Sequence, residues 1–333
     1  MNMKEKILFI INPVSGIGKQ KTVEQSLDKF LDKDKFDYTI AYTEYAHHAT
    51  AIAKNSVNEG FDTVVAVGGD GSINDCVRGL IGSRVKLGII PAGSGNGLAR
   101  CLHIPLNADK AIEVINNCNS LLMDTVTVSY YHTGQEAEQE KKSCTHYASI
   151  AGVGFDALIA KQFEGNKTRG FQTYLKLVLE DYLNYKPKKY KLIIDDKEVE
   201  TEALFVSFAN SNQFGYNAVV APKALVNDGL LDVSIVKKIP LALAPLAVQF
   251  MFFRNFDKSL YVHTYSARNV KVIGFEDGLI NLDGEAVEIK ENTLEFSVNP
   301  LSLNVIIPDE KRSEIFPYEN KIAELIKQIK EKL

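Results

Sequence analysis

The sequence contains no tryptophan, and its 333 residues include only four cysteines. They stand at Cys76, Cys101, Cys118 and Cys144, far apart and without a C-x-x-C pair. That spacing excludes a zinc-finger type of site and a dense disulfide framework. We therefore expect reduced thiols, as in a cytoplasmic protein.

An excess of charge and long hydrophobic runs are also missing. The chain has 38 basic and 42 acidic residues, a net charge of -4, so nothing favours nucleic acid as a partner. Its longest apolar stretch, residues 241–253, is too short to span a bilayer and contains Pro245. No signal peptide is visible. We expect a cytoplasmic protein, with contact at the inner face of the membrane left open, as is a homodimer.

The first half of the chain alternates two kinds of segment. Strand-like apolar runs at residues 6–11, 38–43, 63–69 and 85–91 are separated by segments with helical spacing at 19–31, 48–58 and 73–81. This alternation predicts a Rossmann-like α/β domain with a parallel sheet, over residues 1–125. In such sheets ligands bind at the carboxyl ends of the strands.

The second half changes character. From about residue 126 it has many short β-branched or alternating runs, separated by turn signals such as Asn227-Asp228-Gly229 and Asp283-Gly284. This pattern predicts an antiparallel β-sandwich over residues 126–307, with helical insertions near 170–183 and 241–253. An amphipathic segment at 317–333 ends the chain, and we expect residues 308–333 to pack back on the first domain.

Three glycine-containing loops follow predicted strands and precede predicted helices. They read NPVSGIGK at 12–19, GGDGSIND at 68–75 and PAGSGNGLAR at 91–100. Small residues let backbone N–H groups approach a phosphate at a helix N-terminus. None matches the P-loop or the dinucleotide fingerprint, and an ordinary βα turn, with Asp70 as an N-cap, is the alternative. Loops at adjacent strand ends predict a shared nucleotide cleft.

A fourth motif, NLDGE at residues 281–285, lies between two strand-like runs. An Asp-Gly pair in this position is a strong hairpin signal, so a purely structural turn explains it. The alternative is that Asp283 accepts a proton from a hydroxyl nucleophile, the role that phosphoryl transfer assigns to a carboxylate.

Taken in order, NPxSG, GGDGxxN, PxGSGN and a late DGE resemble the soluble lipid kinase superfamily, which includes bacterial diacylglycerol kinases and the sphingosine and ceramide kinases. The resemblance spans residues 6 to about 307. It implies an ATP- and Mg²⁺-dependent kinase with a nucleotide-binding α/β domain, a β-sandwich that receives the lipid, and an active site between them. Its GSGN loop is closer to the sphingosine-kinase-like branch, which leaves the acceptor lipid open.

The resemblance also implies roles for individual residues. Asp283 would accept the proton of the lipid hydroxyl with Glu285 beside it, Asp156 would contact the lipid head group, and an N-cap is the alternative for Asp156. A structural magnesium loop maps onto Leu225, Asp228 and Leu230, the leucines through backbone carbonyls, and a hairpin turn is the alternative. The implied ATP contacts are Asn12, Pro13, Val14, Ser15, Gly16, Thr43, Gly68, Gly69, Asp70, Gly71, Ser72, Ile73, Asn74, Asp75, Gly93, Ser94 and Asn96.

Two other functions share parts of this pattern. A GGDG element also occurs in NAD kinases, so a small-molecule kinase is one alternative. The other is a regulator that binds a nucleotide without turning it over, although intact Asp70, Asp283 and Glu285 argue against it.

Overall fold

The computed structural model describes residues 4–13, 20–132, 143–166, 170–309 and 315. The strands within these residues are β1 Glu5–Ile11, β2 Phe36–Tyr42, β3 Thr63–Gly68, β4 Lys86–Pro91, β5 Ser120–Tyr131, β6 Ser143–Tyr147, β7 Ile150–Gly154, β8 Lys188–Ile194, β9 Lys197–Ala203, β10 Phe205–Ala209, β11 Leu231–Val236, β12 Val262–Ala267, β13 Asn269–Ile273, β14 Leu279–Leu282, β15 Glu285–Glu288 and β16 Thr293–Ile306. The α-helices are α1 Gln20–Phe30, α2 His48–Asn58, α3 Asp70–Leu80, α4 Gly97–Cys101, α5 Ala108–Asn117, α6 Phe155–Glu164, α7 Phe171–Tyr182 and α8 Ala244–Phe252.

The first four strands form the parallel part of a large sheet, in the order β2-β1-β3-β4. The apolar runs of β1, β3 and β4 are buried on both faces, as expected for strands covered by helices on each side, whereas the edge strand β2 is only partly buried. β2 pairs with one edge of β1 and β3 pairs with the other edge. The strand order therefore reverses between β1 and β3. Ligands of open α/β sheets bind at such a switch point. The predicted α/β fold is confirmed.

The last strand, β16, joins the two halves of the chain. Near its end it pairs in parallel with β4, and along its length it pairs antiparallel with β13 and β5. Leu303, Val305 and Ile307 thereby enter the core of the first half, as does Ile315. The parallel strands and part of the β-domain form one ten-stranded sheet. Since β5 also runs through residue 125, the domain boundary there stays a prediction.

A second sheet completes the β-domain. Its six strands run in the order β12-β11-β10-β7-β14-β15, and each neighbouring pair is antiparallel. Phe208 of this sheet stacks on Phe296 of the large sheet, with ring centroids 3.9 Å apart. The buried hydroxyl of Tyr147 donates to the Phe208 carbonyl oxygen at 2.9 Å. The predicted antiparallel β-sandwich is confirmed.

The helices predicted within the described residues are present with boundaries that differ by up to three residues, and α5 and α6 were given no predicted range. The helix predicted to begin at Ile73 begins at Asp70, with Gly69 as its N-cap. Helices α7 and α8 occupy the two predicted insertions, and the helix predicted at 317–333 lies outside the described residues. No described helix is both long and apolar enough to cross a membrane. All four cysteines are free, as predicted.

Candidate active site

One cavity of about 1300 Å³ runs between the carboxyl ends of the parallel strands and the second sheet. One end is polar and is lined by the loops that follow β1, β2, β3 and β4. Its other end is apolar and is lined largely by α6, α7 and α8. The two ends meet at Asp283 and Asp156, both of which face the cavity.

Asn12 follows β1 at the switch point. Its backbone N–H donates to the Val67 carbonyl oxygen at 3.2 Å, and its side-chain Nδ2 donates to Ser72 Oγ at 3.1 Å. The loops after β1 and β3 are therefore in direct contact, as the sequence predicts. The remaining predicted ATP contacts in this loop, Val14, Ser15 and Gly16, lie outside the described residues, whereas Pro13 is described and exposed.

The GGDG run forms the end of β3 and the first turn of α3. A Cβ atom on Gly93 would lie 2.5 Å from the Gly69 Cα atom, and one on Gly71 would lie 2.6 Å from Glu285 Oε1. The Gly93 contact is with backbone, so glycine is needed there, because a side chain would force the two loops apart. At position 71 the atom met is the end of a flexible side chain. The first turn of α3 faces the cavity, so its N–H groups can receive a phosphate.

Asp70 connects two of the glycine loops. Its Oδ2 accepts from the Asn96 N–H at 2.8 Å and its Oδ1 accepts from the Gly97 N–H at 2.7 Å. Burial raises the pKa of Asp70 to about 6, although these two amides and the charge of Arg100 oppose the rise. The carboxylate therefore caps the start of α4. The N-cap of α3 is Gly69, so the alternative in which Asp70 caps its own helix is wrong.

The loop after β4 is closed by its own side chains. Asn96, at φ 52°, accepts from the Gly93 N–H at 3.1 Å and donates to the Gly93 carbonyl oxygen at 2.9 Å. Arg100 Nε donates to the Gly95 carbonyl oxygen at 2.9 Å. Both side chains stabilise the loop without lining the cavity, whereas Ser94 lines the cavity. A direct ATP contact by Asn96 stays a prediction.

Thr43 lies in the loop after β2, where its N–H donates to the Ile11 carbonyl oxygen at 3.0 Å. The same loop brings two aromatic residues to the cavity wall that sequence reasoning missed, Tyr45 and His47. His47 has φ 61° and its Nδ1 lies 3.0 Å from Asp75 Oδ1. A motif scan could not assign these residues, because neither lies in a glycine loop.

Asp283 lies in the hairpin turn that its motif predicts, and its role as a proton acceptor stays a prediction. It forms with Gly284 a two-residue turn between β14 and β15, with φ values of 50° and 90°, the geometry of a type I′ hairpin. Its carboxylate accepts three backbone N–H groups at 2.8–2.9 Å, and burial raises its pKa to about 6 against their opposing effect. Those three donors belong to Ala148, Ser149 and Ile150.

A cluster of charged side chains stands beside this turn. Arg78 Nη2 lies 3.4 Å from Glu285 Oε2, and Arg78 Nη1 lies 3.2 Å from Asp75 Oδ1. Burial raises the pKa of Glu285, while the charge of Arg78 opposes the rise. Arg78 was missed by sequence reasoning, because nothing local marks a helical arginine whose partner lies 207 residues away.

Asp156 lies where the cavity becomes apolar. Its Oδ2 accepts from Asn281 Nδ2 at 2.9 Å, and burial raises its pKa to about 6. The N-cap of α6 is Gly154, so the N-cap interpretation of Asp156 is wrong. A buried carboxyl group at this point is suited to a polar group on a substrate, and that contact stays a prediction.

The predicted magnesium loop lies away from the cavity, within the long connection between β10 and β11. Asp228 Oδ1 accepts from the Leu230 N–H at 3.0 Å, and buried Asp124 accepts from the Gly229 N–H at 2.7 Å. Burial, with the charges of Asp232 and Asp124, raises the pKa of Asp228 to about 6. The turn is not a tight hairpin, so that alternative is wrong.

Oxygen donors beside neighbouring acids suit a hard cation, so the residues fit magnesium. The described residues contain no group of three His, Cys, Asp or Glu side chains that could hold a metal ion. Coordination here would rely on one carboxylate and on the carbonyls of Leu225 and Leu230, and it stays a prediction.

Comparison with known proteins agrees with this architecture. Residues 6–128 match the family model of the diacylglycerol kinase catalytic domain, and residues 149–307 match that of the YegS C-terminal NAD kinase beta sandwich-like domain. A diacylglycerol kinase from Bacillus subtilis is 30% identical over 315 residues, which cover 92% of this chain and 98% of that protein. This chain belongs to the lipid kinase superfamily that includes the bacterial diacylglycerol kinases.

Other relatives support the same family. A diacylglycerol kinase from Staphylococcus saprophyticus is 27% identical over 292 residues, covering 85% of this chain and 90% of that protein. The crystal structure of a diacylglycerol kinase from Bacillus anthracis superimposes with a TM-score of 0.66 at 19% identity, covering 93% of this chain and 99% of that one. That likeness concerns the fold. Membership of the family identifies the chain as a kinase.

Proposed function

We propose that this chain transfers the γ-phosphoryl group of ATP to the hydroxyl group of a lipid, either diacylglycerol or a sphingoid- or ceramide-like lipid. The observation that carries the proposal is one continuous cavity, which joins a polar end with phosphate-binding geometry to an apolar end, with Asp283 at the junction. A hydrophilic acceptor such as NAD would not need the apolar end.

The polar end suits a nucleotide. The N-terminus of α3 and the loop with Ser94 present backbone N–H groups and a hydroxyl toward the same space. Gly69 and Gly93 allow the two loops to approach each other, and Asp70 fixes their separation. Bound Mg²⁺ would neutralise part of the phosphate charge in this space.

Asp283 is the proposed proton acceptor. The lipid hydroxyl oxygen forms a bond to the γ-phosphorus, the bond from that phosphorus to the ADP oxygen breaks, and the hydroxyl proton passes to the Asp283 carboxylate. Three backbone N–H groups hold this carboxylate in place, so it needs little reorganisation when the acceptor arrives. Glu285 lies on the next strand, beside the N-terminus of α3.

The apolar end suits acyl chains and a membrane surface. Helices α7 and α8 contain no buried residue, and many of their apolar side chains line the cavity. Phe253 is 67% and Leu183 is 62% exposed. The exposed basic residues Lys186 and Lys189 follow α7. We place the contact with the inner face of an anionic membrane here.

The test supplies labelled ATP with diacylglycerol, sphingosine, ceramide, undecaprenol and NAD, and records which acceptor gains phosphate. We expect a lipid to be labelled, and Asp283→Asn to lower its turnover by about 100- to 10,000-fold while ATP still binds. Asp195→Asn is the matched control, because Asp195 also sits in a positive-φ turn and accepts backbone N–H groups, but on the distant β8–β9 hairpin. Near-normal turnover by Asp283→Asn contradicts the role of Asp283, and labelling of NAD alone contradicts the lipid acceptor.

A further inference from the structure

Arg78 occupies a position behind the cavity wall. It lies in the last turn of α3, its side chain is 14% exposed, and it does not line the cavity itself. Its guanidinium contacts three elements: Asp75 on its own helix, Glu285 on β15, and the His146 carbonyl oxygen on β6, to which Nε donates at 3.3 Å. One side chain thus joins the helix of the polar end to the hairpin that carries Asp283.

Asn74 extends this link to Asp283. In the amide orientation that satisfies its neighbours, Asn74 Nδ2 donates to Asp283 Oδ2 at 3.1 Å, and its Oδ1 accepts from Arg78 Nη2 at 2.9 Å. A carboxylate offers about four lone-pair positions, and three of those on Asp283 are taken by backbone N–H groups. Among the described residues, Asn74 is the side-chain donor to this carboxylate.

From this geometry we propose that Arg78 is a positioning residue for phosphoryl transfer, which rests on the function proposed above. Arg78 orients the Asn74 amide, which donates a hydrogen bond to Asp283 that the substrate can displace. Through its contacts with Asp75 and Glu285, Arg78 also fixes the separation between α3 and the β14–β15 hairpin. When the lipid hydroxyl reaches Asp283, the Asn74 amide is the donor that can rotate away, since the three backbone donors are fixed in the chain.

Charge supports the same role. The guanidinium lowers the pKa of both Asp283 and Glu285 against the effect of burial, so it favours the ionised form that accepts a proton. Removing it should raise the pKa of Asp283. Among the described residues, the other titratable groups that face this cluster are Asp75 on α3, His47 before α2, Tyr130 on β5, and His146 and Tyr147 on β6.

The kinetic test compares Arg78→Met, Arg78→Lys and the exposed control Arg84→Met. We expect Arg78→Met to lower kcat about 10- to 100-fold, to leave the KM for ATP within about twofold, and to move the acidic limb of the kcat profile to higher pH. Arg78→Lys keeps the charge but loses the forked contacts, so it should keep the pH profile while kcat falls. Wild-type kcat and an unchanged pH profile in Arg78→Met would overturn the proposal.

A second measurement does not depend on activity. Thermal unfolding of Arg78→Met, Glu285→Gln and the double variant forms a cycle, in which contacting residues give non-additive changes in Tm. We expect the double variant to lose less than the two single losses together, and strict additivity would overturn the link between α3 and β15. Non-additive changes in a protein that phosphorylates no lipid would contradict the proposed function while the link between the elements stands.

Discussion

The two ends of the cavity are built in opposite ways. At the polar end, carboxylates bind backbone N–H groups of neighbouring loops: Asp70 holds Asn96 and Gly97, and Asp283 holds residues 148–150. At the apolar end, α7 and α8 contribute side chains to the wall but bury none of them fully. Phosphoryl transfer depends on fixed positions, whereas an acyl chain needs only an apolar volume that adjusts to it. We therefore expect the polar end to tolerate almost no change and the apolar end to tolerate much.

Among the changes that test this difference, Gly93→Ala should have the largest effect on ATP binding. Its added Cβ would lie 2.5 Å from the Gly69 Cα atom, so the two loops must separate. We expect ATP affinity to fall at least about 100-fold and the free energy of unfolding to decrease by about 1 to 3 kcal/mol. ATP titration and urea unfolding measure the two effects. Gly165→Ala is the control, because its Cβ would meet nothing closer than 3.7 Å, and equal behaviour of the two variants would contradict the close approach.

Asp156→Asn tests the border between the two ends. The folded pKa of Asp156 is raised to about 6, above its value of 3.8 when unfolded. Between these two pKa values the folded state binds more protons than the unfolded state. The free energy of unfolding therefore decreases as the pH rises from about 4 through 6. We expect the variant to gain about 2 to 3 kcal/mol in the free energy of unfolding at pH 8 and nothing near pH 4.

Urea unfolding at both pH values measures that difference for Asp156→Asn. Asp196→Asn serves as the control, because its side chain is exposed to solvent. A gain of the same size at pH 4 and pH 8 would mean that burial of the charge is not its cause.

The pH dependence of turnover tests Asp283, the other residue at which the two ends of the cavity meet. Burial raises the pKa of Asp283 to about 6, and the group must be ionised to accept a proton. We expect kcat at saturating substrates to be constant above about pH 7 and to fall about tenfold for each unit below 6. Initial rates from pH 4.5 to 8.5 measure this, with ATP binding followed over the same range. A flat profile would exclude Asp283 as the acceptor.

The sequence could predict features whose cause is local. Loops after parallel strands meet at one sheet edge, so the run at 68–75 and the loop at 91–100 were expected to share a cleft. The Asp283-Gly284 hairpin follows from two residues that tolerate positive φ. The start of α3 was misplaced because glycine is a poor helix former, whereas the structure has Gly71 in the first turn of this helix.

Features that depend on distant contacts could not be read from the sequence. Arg78 meets Glu285 only because β14 and β15 fold back over α3. Asp124 accepts from the N–H groups of Gly229 and Leu301, which neither motif nor periodicity connects to it. The pairing of β16 with β4, which merges two predicted domains into one sheet, is non-local in the same sense. Topology decides these contacts, and a single sequence does not display it.

The smallest effect should come from the exposed part of the apolar end. Phe253 is the C-cap residue of α8, is 67% exposed and does not line the cavity. Phe253→Ser should therefore change the free energy of unfolding by less than about 0.5 kcal/mol. We expect the KM for a lipid in anionic vesicles to rise several-fold, because an aromatic ring no longer enters the interface, while turnover of a short-chain lipid in solution stays unchanged. Leu122→Ser removes another exposed apolar side chain, on β5, and should leave both values as they are. An equal loss on vesicles and on the dissolved lipid would assign Phe253 to the active site, and the comparison between a fixed polar end and an adaptable apolar end would then fail.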